Sequence, residues 1–250
     1  MAKNTMFLYG KNSVRERLRN NPKSIRKIYL QDNFDDQHIV DVIKSKKIQA
    51  IWLPENKFLR IKRADRLQGI VAEIDNFEYL DFKELLNTAK EKNLSLIFLD
   101  SLNDPHNLGA IMRTLACFGG FAMVIPKHDS CEVNETVLHV ASGGENFVPV
   151  SLVTNLSAAL ISAKKEGFWA VGAVVEGGQD INKTELVFPL CLVLGSEGRG
   201  IRPGLEKQIE LKVKISMSGA ALSFNVAMAS TIFAYEISKQ RNKLKNNIKK

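Results

Sequence analysis

From residue 94 onward, short apolar runs alternate with segments whose apolar positions recur every three or four residues. Leu94 to Leu99, Phe121 to Ile125, Gly167 to Val175 and Leu190 to Leu194 are nearly unbroken apolar stretches. Such runs predict strands covered on both faces. Between them, Leu108, Ile111, Leu115 and Phe118 form one helical stripe, and Leu156 to Lys165 and Val226 to Gln240 also read as helices. This rhythm predicts an α/β body with a parallel sheet covered by helices. Ligands of open α/β sheets sit beyond the C-terminal strand ends. Chemistry is therefore expected after Leu99, after Val175 and after Leu194.

The first 76 residues read as a separate small α/β unit. Ser13 to Leu18 and Ile39 to Ile43 predict helices; Ile25 to Leu30, Ile48 to Leu53 and Gly69 to Ile74 predict strands. Phe82, Leu85, Leu86 and Ala89 give residues 77–93 a helical stripe that joins this unit to a second domain spanning 94–250. Charge sharpens the division. Residues 1–76 hold 16 Lys/Arg against 9 Asp/Glu, whereas 77–238 hold 13 against 18, and the last twelve residues add six basic groups and no acid. A basic front and tail around a mildly acidic body point the front unit toward a polyanion.

Composition excludes more than it identifies. With 45% hydrophobic and 25% charged residues, the 250-residue chain is neither disordered nor fibrous. Cys117, Cys131 and Cys191 share no short spacing, so neither a disulfide framework nor a zinc cluster is expected, and reduced thiols fit a cytoplasmic protein. His38, His106, His128 and His139 are scattered, which argues against a metal site. Ile215 to Tyr235 carries no charge and is long enough to span a bilayer, but polar residues crowd its first half. It reads as a buried loop followed by a core helix, with no membrane span.

Three clusters have the residue types for chemistry. Asp100 to Arg113 follows the first body strand; Asn107 lies near a helix start and Arg113 lies opposite the apolar stripe, an arrangement suited to a phosphate or ribose. A helix cap and a surface arginine would look the same. Leu194-Gly195-Ser196-Glu197-Gly198-Arg199-Gly200 permits close backbone approach, yet it is neither G-x-G-x-x-G nor a phosphate loop. Ile215 to Ala227 is rich in small residues, and Ser223 or Asn225 can cap the helix that follows.

Taken together and in order, these clusters resemble the three motifs of the SpoU branch of the SPOUT RNA 2′-O-ribose methyltransferases. Asn107, Gly109 and Arg113 match the first motif, Gly195-Ser196-Glu197-Gly198 the second, and Ser223-Phe224-Asn225-Val226 the third. Ala141-Ser142-Gly143-Gly144-Glu145 ahead of Val148-Pro149-Val150 is also similar to the family. The front unit resembles the family's L30e-like RNA-binding domain, through Gly10, Val14, Glu16, Leu18 and Gln68 to Ala72, although Leu67 stands where a histidine is usual. In the third motif, Leu222 and Phe224 replace a more usual Ser and Leu.

The resemblance implies a C-terminal trefoil knot, an exception to the rule that chains do not thread loops. It implies a homodimer with each site near the subunit interface. S-adenosylmethionine is the implied cofactor, held by Leu194, Gly195, Ser196, Ile215 and Phe224. The implied substrate is RNA, with a guanosine ribose of large-subunit ribosomal RNA favoured and transfer RNA as the alternative. Arg113, Asn107, Glu197, Ser223 and Asn225 are the implied catalytic set. A nonenzymatic RNA-binding protein of the same fold is the rival reading.

Overall fold

The computed structural model describes residues 5–196, 198–220 and 222–248. Two sheets carry the chain. The first has strands β1 (Thr5–Tyr9), β2 (Ile25–Gln31), β3 (Ala50–Leu53) and β4 (Ile70–Asp75) in the order β1-β4-β2-β3. β4 runs antiparallel to both β1 and β2, and β3 is parallel to β2. Helices α1 (Lys11–Asn20) and α2 (Gln37–Ser45) bury Val14, Leu18, Ile39, Val40 and Ile43. Asp36 caps α2 by accepting from the Ile39 amide. Two elements of this first unit escape the sequence pattern, β1 and α3 (Glu55–Ile61). In α3 only Phe58 is buried, which leaves no periodic stripe to read.

The second sheet has seven strands, β5 (Ser95–Leu99), β6 (Phe121–Pro126), β7 (Val150–Val153), β8 (Trp169–Ala173), β9 (Gln179–Asp180), β10 (Leu190–Leu194) and β11 (Leu211–Lys214). Their order is β7-β6-β5-β10-β8-β11-β9, and every neighbouring pair is parallel. Strand β10 thus enters between β5 and β8, two strands formed by earlier segments. Side chains of β5 alternate between two cores. Ile97 and Leu99 face α5 (Pro105–Phe118), α6 (Glu135–Ala141) and α9 (Val226–Ile248). Leu96 and Phe98 face α4 (Phe82–Glu91), α7 (Leu156–Lys165) and Leu205 of α8 (Pro203–Glu206). Burial from both sides is why the central strands β5, β6 and β10 are almost wholly apolar.

One expectation changes. Ser216 to Ala220 and Leu222 to Asn225 are exposed, so the uncharged segment is not a buried loop. Its hydroxyls and small residues leave backbone groups that solvent can satisfy, and lack of charge alone is a poor sign of burial. Near the start of the basic tail one side chain is held by the body. Arg241 is buried, donates to the carbonyls of Gly119 and Gly120, and lies 4.7 Å from the Phe121 ring centroid. That clamp holds this part of α9 against the turn that precedes β6. Among the described residues, no helix is long and apolar enough to cross a membrane.

The segment between the sheets is fixed rather than loose. Leu80 N–H donates to the Val150 carbonyl at 2.9 Å, and Val133 N–H donates to the Tyr79 hydroxyl at 2.8 Å. Burial pushes the Tyr79 phenol up to about 12 from its ordinary 10.0. The unfolded chain therefore loses this proton first as pH rises. Stability from Tyr79 is complete below pH 10 and is lost toward pH 12, by at most about 2 kcal/mol because the ring is partly exposed. Tyr79→Phe is expected to flatten this alkaline decline and to cost about 1 kcal/mol at neutral pH. Urea midpoints taken from pH 8 to 11 check both effects.

Candidate active site

Sheet register brings the first two sequence clusters together. Leu99 and Leu194 are direct partners, Leu194 also pairs with Ala173, and Asp100 N–H donates to the Leu194 carbonyl at 2.8 Å. Ile215 leaves β11, which lies two strands from β10, a separation of about 10 Å at the usual strand spacing. Leu194 is buried and delivers the chain to Gly195. Ser196 and Gly200 exchange backbone hydrogen bonds at 3.1 and 3.0 Å, closing a tight loop. A Cβ on Gly195 would lie 2.2 Å from the Gly200 carbonyl carbon and 2.4 Å from the Ile201 nitrogen. Only glycine fits there. Glu197 lies outside the described residues.

An ion pair ties this loop to the sheet. The Asp100 side chain is fully buried and accepts from Arg202 N–H at 2.8 Å and Nε at 2.6 Å. Charge-assisted bonds of this kind are about twice as strong as neutral ones. Sequence reading missed the pair. A charged residue directly after an apolar strand run was the available signal, but its partner lies 102 residues away.

The third cluster joins the first through two asparagines. Asp104 caps α5 by accepting from His106 N–H at 2.8 Å, with Pro105 at the first helical position. Asn107 stands in the first turn. Its Oδ1 accepts from Asn225 Nδ2 at 3.0 Å, while Asn225 Oδ1 accepts from Ala227 N–H at 2.8 Å and caps α9. One side chain thus fixes the start of α9 against the start of α5. Thr114, two helical turns beyond Asn107, meets Thr231 at 3.2 Å. Arg113 precedes Thr114, so it flanks the α9-facing side of α5, and it is exposed. Asn225→Ala is expected to cost about 1–2 kcal/mol through loss of the cap and the Asn107 bond together. Thermal unfolding of the variant beside Asn107→Ala measures the shared part.

The remaining candidates differ in burial. Ile215 is half-buried against the main core, whereas Ser223 and Phe224 are exposed and Leu222 is 72% exposed. The Ser216 hydroxyl, with the Asn182 amide, holds the Asp180 carboxyl below its usual range. Leu67 is buried beside Tyr9, Phe58 and Val71, so it fills core rather than offering a contact. Among the described residues no group of His, Cys, Asp and Glu is placed to hold a metal ion.

Comparison with known proteins bears on this geometry. Residues 94–235 match the SpoU rRNA Methylase family, and residues 7–80 match the family described as RNA 2′-O ribose methyltransferase substrate binding. A TrmH family protein of Bacillus subtilis (strain 168), whose name leaves tRNA and rRNA both open, is 32% identical over 97% of this chain and 98% of its own. The 23S rRNA (guanosine-2′-O-)-methyltransferase RlmB of Ralstonia nicotianae is 35% identical over 94% of this chain and 96% of its own. Among solved structures, a TrmH family protein from Porphyromonas gingivalis superposes with TM-score 0.74 at 26% identity, covering 94% of this chain and 89% of that one. The SpoU methyltransferase AviRb from Streptomyces viridochromogenes, crystallised with AdoMet, gives TM-score 0.79 at 17% identity, covering 96% and 92%, a likeness of fold. The seven-stranded body is accordingly a SPOUT α/β knot, with an L30e-like unit in front of it. With matching motifs at adjacent strand ends, matched sequence over 94–235 and relatives aligned along nearly the whole chain, the protein belongs to the SpoU rRNA methylase family.

Proposed function

We propose that this chain is an S-adenosylmethionine-dependent RNA 2′-O-ribose methyltransferase, acting on a guanosine of 23S ribosomal RNA. One convergence carries the reading: the Asn107–Asn225 bond and the Leu99–Leu194 register bring segments of all three motifs together beyond the C-terminal ends of the central strands. The relatives' names support both rRNA and tRNA, so a tRNA guanosine is the second reading. Either substrate places the work in the cytoplasm.

The cofactor's fit is supported by the cradle at Gly195, whose missing Cβ leaves backbone at the loop base, and by exposed Leu222 and Phe224 in the segment of the third motif. Leu194, Gly195, Ser196 and Ile215 would present backbone groups, and Phe224 an apolar surface. When bound, S-adenosylmethionine supplies a methyl group on a positively charged sulfur. The chain's own part is to hold the ribose in line and to manage the hydroxyl proton. A guanidinium serves proteins as a cation rather than a base, and that is the role assigned to Arg113. It holds the phosphate beside the target ribose and stabilises the oxygen as negative charge develops. The phosphate is then placed to accept the proton. Asn107 and Asn225 fix the helix that carries Arg113, Ser223 steadies the third motif, and Glu197 is assigned to orienting the ribose.

A homodimer belongs to the same proposal. Met228 and Tyr235 are 62% and 54% exposed on α9, and Tyr235 lies 6.0 Å from Phe118 of α5. That apolar face adjoins the site and suits a second copy. Mapping 2′-O-methyl groups in ribosomal and transfer RNA from cells with and without the gene tests the function. Loss of one guanosine mark from 23S rRNA supports the first reading and loss from tRNA the second. Unchanged marks in both refute the enzyme.

A further inference from the structure

Helix α6 and the turn Gly144–Asn146 lie between α5 and the N-terminal unit, in close contact with both. On the α5 side, a Cβ on Gly109 would sit 2.7 Å from Val140 Cβ and 2.8 Å from the Val137 carbonyl oxygen. A Cβ on Gly144 would sit 3.0 Å from the Cα of Arg113 and 3.2 Å from the Met112 carbonyl oxygen. The turn therefore rests on the backbone of Arg113 with no side chain between.

On the other side, the N-terminal unit is seated with similar closeness. A Cβ on Gly143 would lie 2.4 Å from Glu16 Cβ. The Tyr9 ring stacks on His139 with centroids 4.2 Å apart. Glu135 accepts from Phe7 N–H at 2.8 Å and from the Lys62 ammonium. Next to Gly144, Glu145 Oε1 accepts from Arg17 Nη2 at 3.1 Å, and their side chains are 0% and 8% exposed.

This buried pair is poorly suited to adding stability. Burial pushes the Glu145 carboxyl above its usual range, against the pull of Arg17 and nearby backbone amides. Among the described residues, Arg17 Nε has no hydrogen-bond partner. Burying two charges costs several kcal/mol of hydration, which their attraction repays only with near-complete hydrogen bonding. An apolar pair of similar volume would hold the two units together as well or better. What an ion pair adds is a single seating, because slippage strands two charges.

We propose that Glu145 is a positioning residue: Arg17 of the N-terminal unit holds it, and through the adjoining Gly144 it sets the backbone of Arg113. The unit that meets RNA and the helix that performs transfer then move as one body. The proposal rests on Arg113 facing the substrate, as argued above. It gives the front unit a role in turnover as well as in binding.

The test uses the full-length chain and three variants, Glu145→Gln, Arg17→Lys and the double change Arg17→Met with Glu145→Leu. The double variant removes both charges and keeps the volume, so it covers the case in which Glu145→Gln does not fold. It is expected to unfold at or above the parent's temperature while kcat falls roughly 10- to 100-fold, the cost of a displacement of about 1 Å. KM for S-adenosylmethionine should hold, and Arg17→Lys should recover part of kcat by restoring the charge without the planar fork. A double variant with parent-like stability and kcat within about twofold of the parent would overturn the proposal. Amide hydrogen exchange supplies a readout independent of activity. Faster exchange over 105–113 in the double variant, with β5 and β10 unchanged, supports the coupling; unchanged exchange over 105–113 refutes it. If the parent methylates no RNA, the functional reading fails by itself, and exchange still decides the coupling.

Discussion

Arg113→Lys is expected to lower the rate of methyl transfer by about 100- to 1,000-fold while S-adenosylmethionine affinity stays within about twofold. Position sets this expectation. Arg113 is exposed on a helix whose opposite stripe, Leu108, Ile111 and Leu115, is completely buried. Replacing it disturbs no packing, so stability should move by less than about 0.5 kcal/mol. Lysine keeps the charge, and the loss therefore reports geometry. A guanidinium offers two parallel N–H donors to a phosphate and a neighbouring oxygen, whereas an ammonium is a point charge on a flexible stem. Single-turnover transfer beside calorimetric titration of the cofactor separates the two quantities. A lysine variant transferring at the parent's rate would remove both roles assigned to Arg113.

The second large effect belongs to Gly195→Ala. The added Cβ meets backbone atoms of Gly200 and Ile201 at 2.2–2.4 Å, and backbone cannot rotate away as a side chain can. Relief requires opening the loop, which breaks the paired Ser196–Gly200 hydrogen bonds and strains the Arg202–Asp100 anchor. Overpacking of this type costs about 1–3 kcal/mol, or roughly 2–10 °C in melting temperature for a chain this long. Cofactor affinity should fall further, by about 100-fold, because the displaced backbone is the proposed binding surface. Gly204→Ala is the control, since nothing lies within 4 Å of its missing Cβ. It should leave melting and affinity unchanged. Equal affinity in Gly195→Ala and the parent would take the loop out of the cofactor site.

What was legible in the sequence follows from where burial is symmetrical. β5, β6 and β10 are buried at every position, and apolar at all but Ser95, because helices cover both faces, and such runs stand out. β11 was not read: in Leu211-Lys212-Val213-Lys214 only Val213 is buried. β9 is two residues long and carries no pattern. α6 escaped for a different reason. Its buried Val137, Leu138 and Ala141 span a single turn, and the glycines that follow read as loop although they make its closest contacts. At the site, the motif order pointed to Asn107, Arg113, Gly195 and Asn225, and strand register with the Asn107–Asn225 bond brings their segments together beyond the strand ends. The pairs Asp100–Arg202 and Arg17–Glu145 were out of reach, being 102 and 128 residues apart and chosen by tertiary packing alone.

The most direct test of the account is the position of the transferred methyl group. Purified full-length chain, S-adenosylmethionine carrying a labelled methyl and 23S rRNA would be combined, and the digested nucleosides weighed and fragmented. The account predicts a labelled 2′-O-methyl nucleoside, lost when the same position carries a 2′-deoxy sugar. A label on the base, or transfer that persists on the deoxy substrate, would contradict it.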